Sequence, residues 1–266
     1  MVTMKKLLVI GAHSYIGQKF SEYVMQMDND DITVELVSAS NESWRQADFS
    51  LYDSILHLSG IVHLREKKNM ESLYYKVNYK LAVEVAQRAK QSQVKQFIFM
   101  STVAVFGASE GRITMNTLPN PTTYYGKSKL VAEQEINKLQ DKDFHVVIVR
   151  PPIVYGEKCK GNYARLVRLA KYTPVFPNYH NKRSMLNVVK LSECLVELIK
   201  NESSGYIHPQ DDEYKETSEL VKKIRENMGK KTILLKGLDP VIELLIHKVN
   251  IIKKLFGDLY YEEEDV

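Results

Sequence analysis

The chain has 266 residues, 26% of them charged, and a formal net charge of +4, which fits a globular protein with one large or two modest cores. So small a net charge gives no reason to expect a nucleic-acid partner, and no apolar run approaches the ~20 residues of a membrane span. The apolar run before Gly11 is too short for a signal peptide. Cys159 and Cys194 have neither metal-ligand spacing nor a disulfide framework, so we expect a reducing cytoplasm and no metal.

Strand and helix patterns alternate through the first half of the chain. Strands are predicted at 5–10, 32–37, 54–58, 96–100 and 144–149, and helices at 15–27, 70–90 and 126–140. About sixteen residues separate the second and third strands, so the helix between them must be vestigial. The order β-α-β-β-α-β-α-β predicts an α/β fold with a Rossmann-type, doubly wound parallel sheet.

A turn with glycines at both ends, Gly11 and Gly17, joins the first strand to the first helix. Such a turn lets the backbone approach a pyrophosphate, which then lies on the amides of the helix N-terminus. Ser14 stands where one dinucleotide-binding pattern has a third glycine, and its hydroxyl could bind phosphate. The alternative is a purely structural turn.

The second strand ends at Ser38 without the acidic residue that usually holds the ribose hydroxyls of NAD. Small polar groups there would tolerate a 2′-phosphate, with Arg45 nearby, so the pattern favours NADP. The alternative is NAD, held through Glu35 or backbone groups. Asp48 either caps a turn or contacts adenine, and capping is the preferred interpretation.

Polar residues and a glycine follow the third strand. Gly60 would let the backbone pass close to a cofactor, and His63 either faces a substrate or is solvated. Asn78 lies in the predicted helix 70–90. Its amide is either a buried group that ties this helix to a loop or an exposed one.

Two hydroxyl residues, Ser101 and Thr102, end the fourth strand, at the edge where open α/β sheets bind ligands. Tyr125 and Lys129 share one face of the next helix. An ammonium group one turn away favours the phenolate, so we expect Lys129 to lower the pKa of Tyr125 and create a general acid/base. The alternatives are a solvated surface pair and hydroxyls that only satisfy backbone groups.

The second half of the chain does not continue the alternation of strands and helices. Helices are predicted from 163 to 171 and at 188–200, 216–227 and 241–255, with a short strand at 205–208. We expect a dinucleotide-binding domain at 1–156, to which 188–208 returns, and a smaller substrate-binding lobe at 157–187 and 209–266. Late basic residues are interpreted as a solvated helix face rather than an anion site: Lys222, Lys223, Arg225, Lys230, Lys231 and Lys236.

These signals, in this order, resemble the extended short-chain dehydrogenase/reductase family of NAD-dependent epimerases and dehydratases. The resemblance covers nearly the whole chain, and its most specific part is the segment YGKSKL at 125–130, together with RPPIVYG at 150–156. The chain departs from the family pattern at Ser14, at Phe106 in place of tyrosine, and at Ile153 in place of a substrate-contacting asparagine.

The resemblance implies roles for the matched positions. Tyr125 would be the proton donor or acceptor, Lys129 would hold the nicotinamide ribose, and Thr102 would bond the reacting oxygen. Implied cofactor-binding residues are Gly11, His13, Ser14, Tyr15, Ile16, Gly17, Ser38, Asp48, Leu58, Ser59, Gly60, Asn78, Tyr125, Lys129 and Pro152. Implied substrate-binding residues are His63, Thr102, Asn162 and Arg183, the last two for the diphosphate of a UDP- or dTDP-sugar.

The residues after Thr102 limit the reactions that this chain could catalyse. Sugar dehydratases of the family have Asp-Glu there, whereas Val103 and Ala104 transfer no protons, so we exclude a dehydratase. A finer resemblance to capsule and O-antigen enzymes implies NAD(P)H-dependent reduction of a UDP-4-keto-6-deoxy-N-acetylhexosamine. A UDP-sugar 4-epimerase with tightly bound NAD and a non-catalytic dinucleotide sensor stay open. Relatives of this kind often extend further and pair through the helices at 70–90 and 126–140, so we also expect a looser substrate site and a homodimer.

Overall fold

The computed structural model describes residues 4–27, 31–41, 43–62, 66–108 and 110–262. The strands are β1 (Lys5–Ile10), β2 (Ile32–Val37), β3 (Ser54–His57), β4 (Gln96–Met100), β5 (Gly111–Ile113), β6 (His145–Val149), β7 (Ile153–Tyr155), β8 (Val175–Pro177), β9 (Met185–Asn187), β10 (Gly205–Ile207), β11 (Ile233–Leu235) and β12 (Leu259–Tyr261). The helices are α1 (Tyr15–Met25), α2 (Glu71–Tyr74), α3 (Leu81–Gln91), α4 (Tyr124–Asn137), α5 (Asn162–Tyr172), α6 (Val188–Lys200), α7 (Thr217–Glu226), α8 (Asp239–Ile246) and α9 (Asn250–Phe256).

Six parallel strands form the central sheet, in the order β10-β6-β4-β3-β1-β2. Its middle strands β3 and β4 are buried along their whole length, as expected where helices cover both faces of a parallel sheet. The predicted doubly wound parallel fold is therefore confirmed. Between β2 and β3 the chain forms only two 3₁₀ turns, Ser43–Arg45 and Phe49–Leu51, which is the vestigial connection that the short spacing predicts.

Helices α3 and α4 pack on one face of this sheet through small residues. Ala82, Ala86 and Ala89 of α3 are fully buried in the cluster that contains Phe97 and Phe99 of β4. Small side chains let the helix backbone approach the sheet, and each large apolar side chain buried there contributes roughly 1.5–3 kcal/mol. This packing fixes α4, which carries Tyr125 and Lys129, beside the carboxyl end of β4.

The predicted helix 70–90 is not a uniform α-helix. A π-helical segment, Tyr75–Lys80, separates α2 from α3, and the buried Asn78 lies inside it. In place of the predicted helix 241–255 there are two helices, α8 and α9, which residues 247–249 separate. Six strands of three residues each were not predicted, since they are too short to show a period: β5, β7, β8, β9, β11 and β12.

The chain divides into two compact units, the first comprising 1–107, 119–152 and 187–209 and the second 108–118, 153–186 and 210–266. The first unit contains the six-stranded sheet. The second has its own core, which includes Phe176, Ile224, Ile242 and Phe256. Among the described residues, no helix is both long enough and apolar enough to cross a bilayer.

Candidate active site

The turn between β1 and α1 requires glycine at both ends. Gly11 has a φ of +137°, and a Cβ there would lie 3.2 Å from the Cβ of Leu58. A Cβ at Gly17 would lie 2.7 Å from the Oγ of Ser14 and 3.0 Å from the carbonyl oxygen of Gly11. The turn is thus a tight backbone cradle at the N-terminus of α1. A cradle that a side chain would fill fits a pyrophosphate.

Ser14 is the N-cap of α1. Its Oγ accepts a hydrogen bond from the amide of Gly17 at 3.0 Å, which satisfies one of the free donors of the helix end. The serine therefore has a structural role in the turn, while its hydroxyl hydrogen can still be donated to a phosphate oxygen.

The end of β2 is lined by hydroxyl groups. The buried Ser38 has its Oγ 2.9 Å from the Oγ of Ser40. The guanidinium of Arg45 binds both carboxylate oxygens of Glu84, so a 2′-phosphate would compete with Glu84 for it. The carboxylate of Glu35 accepts from the hydroxyl of Tyr52.

Asp48 caps the 3₁₀ turn at Phe49–Leu51, as the preferred interpretation predicts. Its Oδ1 accepts from the amide of Ser50 at 3.0 Å and from the hydroxyl of the same residue at 2.6 Å. These hydrogen bonds hold the pKa of the Asp48 carboxyl below its usual range.

Asn78 ties the helical segment to the loop after β3, which is the first of its two predicted alternatives. Its Oδ1 accepts from the amide of Ile61 at 2.6 Å, and its Nδ2 donates to the Ile61 carbonyl and to the Oγ of Ser128, both at 3.2 Å. A Cβ at Gly60 would lie 3.1 Å from the Asn78 Oδ1 and 3.4 Å from the Lys129 Nζ. Gly60 therefore lets the end of β3 lie directly against Lys129.

The start of α4 packs on the turn that follows β4. A Cβ at Gly126 would lie 2.5 Å from the carbonyl oxygen of Ala104, so glycine permits this contact. Thr123 caps the helix by accepting from the Gly126 amide at 3.0 Å. Tyr125 is the second residue of α4, and this packing brings its side chain to Thr102.

The Thr102 hydroxyl lies close enough to Tyr125 to lower the pKa of its phenol. The Thr102 Oγ1 also accepts from the Ala104 amide at 3.1 Å and so caps the 3₁₀ turn Val103–Phe106. Ser101 differs, since its hydroxyl donates to the buried carboxylate of Glu133. Of the two strand-end hydroxyls, Thr102 is the one at the tyrosine.

The Lys129 ammonium is buried and faces the end of β4. Its Nζ donates to the Met100 carbonyl at 2.8 Å and lies 4.5 Å from the centre of the Phe99 ring. Burial lowers the pKa of Lys129 to about 8, against the opposing effect of the Glu133 carboxylate.

The predicted effect of Lys129 on Tyr125 is wrong in this structure. Burial raises the pKa of Tyr125 to about 12, and the nearby Thr102 hydroxyl offsets only part of that rise. The sequence spacing places both residues on α4, but the lysine ammonium is directed to the Met100 carbonyl. Tyr125 is therefore a protonated phenol near neutral pH.

The structure brings most predicted site residues to the carboxyl edge of the parallel sheet, all within the first unit. His13 is exposed in the turn, Tyr15 and Ile16 begin α1, the Ser59 hydroxyl donates to the Ile10 carbonyl at 3.0 Å, and Pro152 follows β6. The predicted site residues that lie at this edge, or on a helix beside it, are Gly11, Gly17, Ser38, Leu58, Gly60, Thr102, Tyr125 and Lys129. His63 lies outside the described residues.

Asn162 and Arg183 belong to the second unit. Asn162 is the exposed first residue of α5. The Nη1 of Arg183 donates to the Gly257 carbonyl at 2.8 Å, and burial lowers the pKa of this guanidinium against the opposing charge of Asp258. Arg183 is thus a partly enclosed cation with a backbone partner.

Two acidic residues of the site were missed by the sequence reasoning. The Glu66 carboxylate accepts from the amides of Tyr124 and Tyr125 at 3.1 and 2.9 Å. Glu133, one turn after Lys129, is buried and paired with Arg150 at 2.7 Å. The spacing of Glu133 to Lys129 on a helix is a signal that could have found it, whereas nothing in the sequence pairs Glu66 with α4.

Comparisons with known proteins identify a family to which the chain is similar. The profile described as the NAD dependent epimerase/dehydratase family matches residues 7–207. A UDP-glucose 4-epimerase of Vibrio cholerae is 31% identical over 223 residues, which are 73% of this chain and 66% of that protein. An N-acetyl-alpha-D-glucosaminyl-diphospho-ditrans,octacis-undecaprenol 4-epimerase of Escherichia coli O157:H7 is 26% identical over 273 residues, 96% of this chain and 82% of that protein.

Solved structures of more distant sequence share the fold. A dTDP-4-dehydrorhamnose reductase of Clostridium acetobutylicum has a TM-score of 0.70 at 18% identity, covering 86% of this chain and 82% of the other. A UDP-glucuronic acid 4-epimerase of Bacillus cereus in complex with NAD has a TM-score of 0.69 at 19% identity, covering 86% and 87%. Because the family profile matches more than half of its length, this chain belongs to the NAD dependent epimerase/dehydratase family and is an enzyme that uses a nicotinamide dinucleotide.

Proposed function

We propose that this enzyme reduces the C4 ketone of a UDP-linked 4-keto-6-deoxy amino sugar in surface polysaccharide biosynthesis. The observation that carries the proposal is the placement of the Thr102 hydroxyl beside Tyr125, which lies on the helix that also holds the buried Lys129. A phenol and a hydroxyl that converge on one point can bind one carbonyl oxygen between them. This is the arrangement that proton transfer to a developing alkoxide requires.

The residues of the first unit fit a dinucleotide. In the proposed arrangement the cradle between Gly11 and Gly17 holds the pyrophosphate, Gly60 gives the cofactor backbone clearance, and Lys129 holds the nicotinamide ribose. When bound, the reduced dinucleotide supplies the hydride. The polar end of β2 at Ser38, which has no carboxylate, favours NADP over NAD.

Tyr125 acts as the proton donor in this proposal. Its raised pKa of about 12 means that the phenol carries its proton near neutral pH. The protonated form is the one that a ketone reduction needs, because the carbonyl oxygen gains a proton as C4 gains hydride. Thr102 donates a second hydrogen bond to the same oxygen and stabilises the charge that develops on it.

The second unit would bind the nucleotide-sugar, with Asn162 and Arg183 at its diphosphate. A guanidinium offers a fork of donors for phosphate oxygens, and partial burial strengthens such a bond. The cytoplasm, where we expect the enzyme to act, keeps Cys159 and Cys194 as the free thiols that the structure shows. A homodimer through α3 and α4 stays a prediction, which light scattering would test.

A 4-epimerase is the second candidate, because both curated relatives described above carry that name. Reductase and epimerase share the hydroxyl, the tyrosine and the lysine, and they differ in the fate of the hydride. The epimerase returns it to the opposite face of the same sugar, so no cofactor is consumed.

The test is a panel of UDP-4-keto sugars and UDP-hexoses with NADH and NADPH. Steady loss of absorbance with a 4-keto sugar supports the reductase, and sugar interconversion without net oxidation supports the epimerase. Dinucleotide binding with neither activity would favour a sensor and overturn both.

The first prediction concerns Tyr125→Phe. Removing the phenol oxygen should abolish turnover, because no proton reaches the substrate oxygen, while dinucleotide affinity measured by fluorescence changes little. Tyr124→Phe is the matched control on the preceding residue and should keep activity. Wild-type kcat in Tyr125→Phe would contradict the assignment.

A further inference from the structure

The small sheet of the second unit has an apolar outer face. Strands β8 and β11 are parallel, with Ile233 opposite Val175 and Leu235 opposite Pro177. Phe176 and Leu234, on the inner face, belong to the core of this unit. Side chains alternate along a strand, so Val175, Ile233 and Leu235 point to the other face, where they are 40%, 60% and 44% exposed.

An apolar outer face is unusual for such strands. A strand with one buried face normally has polar residues on the other. Here the exposed positions of β11 are Ile and Leu, and Tyr172, three residues before Val175, is 71% exposed. We call Tyr172, Val175, Ile233 and Leu235 the β8–β11 surface. Ile233 and Val175 are paired across the two strands, so their exposed side chains lie next to each other, and adjacent exposed apolar groups are typical of a binding surface.

Lysines flank the β8–β11 surface. Lys171 precedes Tyr172, with its Nζ 5.3 Å from the centre of that ring, and Lys236 follows Leu235. Lys230 donates to the Lys171 carbonyl at 3.3 Å. Arg225 donates to the carbonyls of Ala170 and Lys231, at 2.7 and 2.9 Å, and so holds the end of α5 beside the start of β11. Arg225 is buried, so the prediction of a solvated face is wrong for this residue.

The charge of these two segments has one sign. Residues 228–238 contain three lysines and no acidic residue, and residues 169–177 contain one lysine and none. The β8–β11 surface, with its flanking lysines, is complementary to a surface in which an anionic layer covers an apolar one. A lipid bilayer with anionic headgroups has this layout.

We propose that the β8–β11 surface binds the surface of an anionic lipid bilayer. The aliphatic side chains enter the boundary between headgroups and acyl chains, and the tyrosine ring lies at the headgroup level. The lysine stems lie along the apolar surface while their ammonium groups reach lipid phosphates. This binding needs no substrate, so its test is independent of the test of the proposed reaction.

The experiment is sedimentation of the whole protein with vesicles of phosphatidylcholine alone and of phosphatidylcholine mixed with phosphatidylglycerol. We expect binding to the mixed vesicles only, weakening as salt shortens the Debye length. Each of Lys230→Gln and Lys231→Gln should weaken it about fivefold, since one lysine near the surface contributes ~1 kcal/mol. Ile233→Gln with Leu235→Gln should weaken it through the apolar contact.

Matched controls are Lys142→Gln and Leu118→Gln, which are as exposed but lie elsewhere. Both should bind like the wild type, and circular dichroism should show every variant folded. Equal binding to neutral vesicles, no binding by the wild type, or equal weakening in the controls would overturn the proposal. Loss of self-association in Ile233→Gln, without any lipid binding by the wild type, would assign the surface to a second copy instead.

Discussion

The Thr102 hydroxyl lies beside the phenol of Tyr125 and lowers its pKa. Thr102→Val removes the hydroxyl at nearly constant volume, so the substrate oxygen loses one hydrogen-bond donor. We expect kcat to fall about 100-fold, the magnitude typical of one lost donor at a developing oxyanion. Thr102→Ser keeps the hydroxyl and should retain most activity. Steady-state kinetics of both variants, with dinucleotide affinity measured alongside, checks this prediction.

Lys129 gives the reaction a pH limit. Burial lowers the pKa of this ammonium to about 8, so the lysine loses its charge as pH rises through that value. We expect kcat/KM to be constant below about pH 8 and to fall above it. Lys129→Arg keeps its charge and should remove the fall while lowering activity. A wild-type profile that stays flat above pH 9 would contradict this role.

The sequence predicted that Thr102, Tyr125 and Lys129 come together beside the end of β4, but not their protonation. The four-residue spacing of Tyr125 and Lys129 fixes a shared helix face, and the order of strand ends fixes Thr102 nearby. The direction of the Lys129 side chain depends on the Met100 carbonyl and the Phe99 ring, which are distant in sequence. Burial of the phenol, which sets the pKa of Tyr125, is a tertiary property that spacing does not contain.

The side chain of Glu66 binds the backbone at the start of helix α4. Its carboxylate receives two backbone amides at the positive end of the helix, those of Tyr124 and Tyr125. This contact fixes the backbone of the tyrosine that we assign to catalysis, so Glu66 is a positioning residue. A carboxylate at a helix N-terminus contributes typically 0.3–1 kcal/mol, and up to ~2 kcal/mol when partly buried.

We predict that Glu66→Ala lowers the free energy of unfolding by about 1–2 kcal/mol and kcat by about tenfold, with dinucleotide affinity unchanged. Glu66→Gln keeps one acceptor oxygen and should recover part of both losses. Glu71→Ala, an exposed acidic residue in the first turn of α2, is the control. Denaturant unfolding and steady-state kinetics measure the two effects. A stability loss without any change in kcat would contradict positioning.

Elements with a full hydrophobic period were predictable, and the others were not. The strands β1, β2 and β4 match their predicted limits because a glycine or a serine follows the last apolar residue of each strand. The π-helical segment at Tyr75–Lys80 has helical spacing on either side, so its extra residue is invisible in the pattern. It exists where Asn78 reaches the loop at Ile61, which is a tertiary contact.

At the scale of the whole molecule, the sequence predicted the dinucleotide-binding sheet better than the second unit. The sheet follows from a simple alternation, while the second unit is built from three-residue strands joined by side chains from distant segments. Arg183 illustrates this, since it pairs with Lys215 and Leu259 through isolated bridges and bonds the Gly257 carbonyl. None of these three partners is suggested by the local sequence pattern.

The stability of the first unit should depend on pH through two histidines with lowered pKa values, His57 and His208. His57 of β3 is fully buried between Phe97 and Phe99, with ring centres 6.2 and 6.0 Å away. Burial, with a further effect of the Lys129 charge, lowers the pKa of His57 to about 3. His208, in the same unit, is lowered to about 4, first by burial and then by Arg150.

Between pH 6.5 and these lowered values, the unfolded chain binds protons that the folded protein does not. The contribution of His57 to stability is therefore complete above about pH 6.5 and is lost as pH falls toward 3. For one proton, the free energy of unfolding should fall by about 1.5 kcal/mol between pH 6.5 and pH 5. His57→Leu places an apolar side chain next to the aromatic neighbours. It should remove the part of the pH dependence that His57 causes and leave the part that His208 causes. His247→Leu, at an exposed position, is the control and should leave the slope unchanged. Urea unfolding at several pH values measures the slope, and an equal slope in wild type and His57→Leu would show that His57 is not the group that takes up the proton.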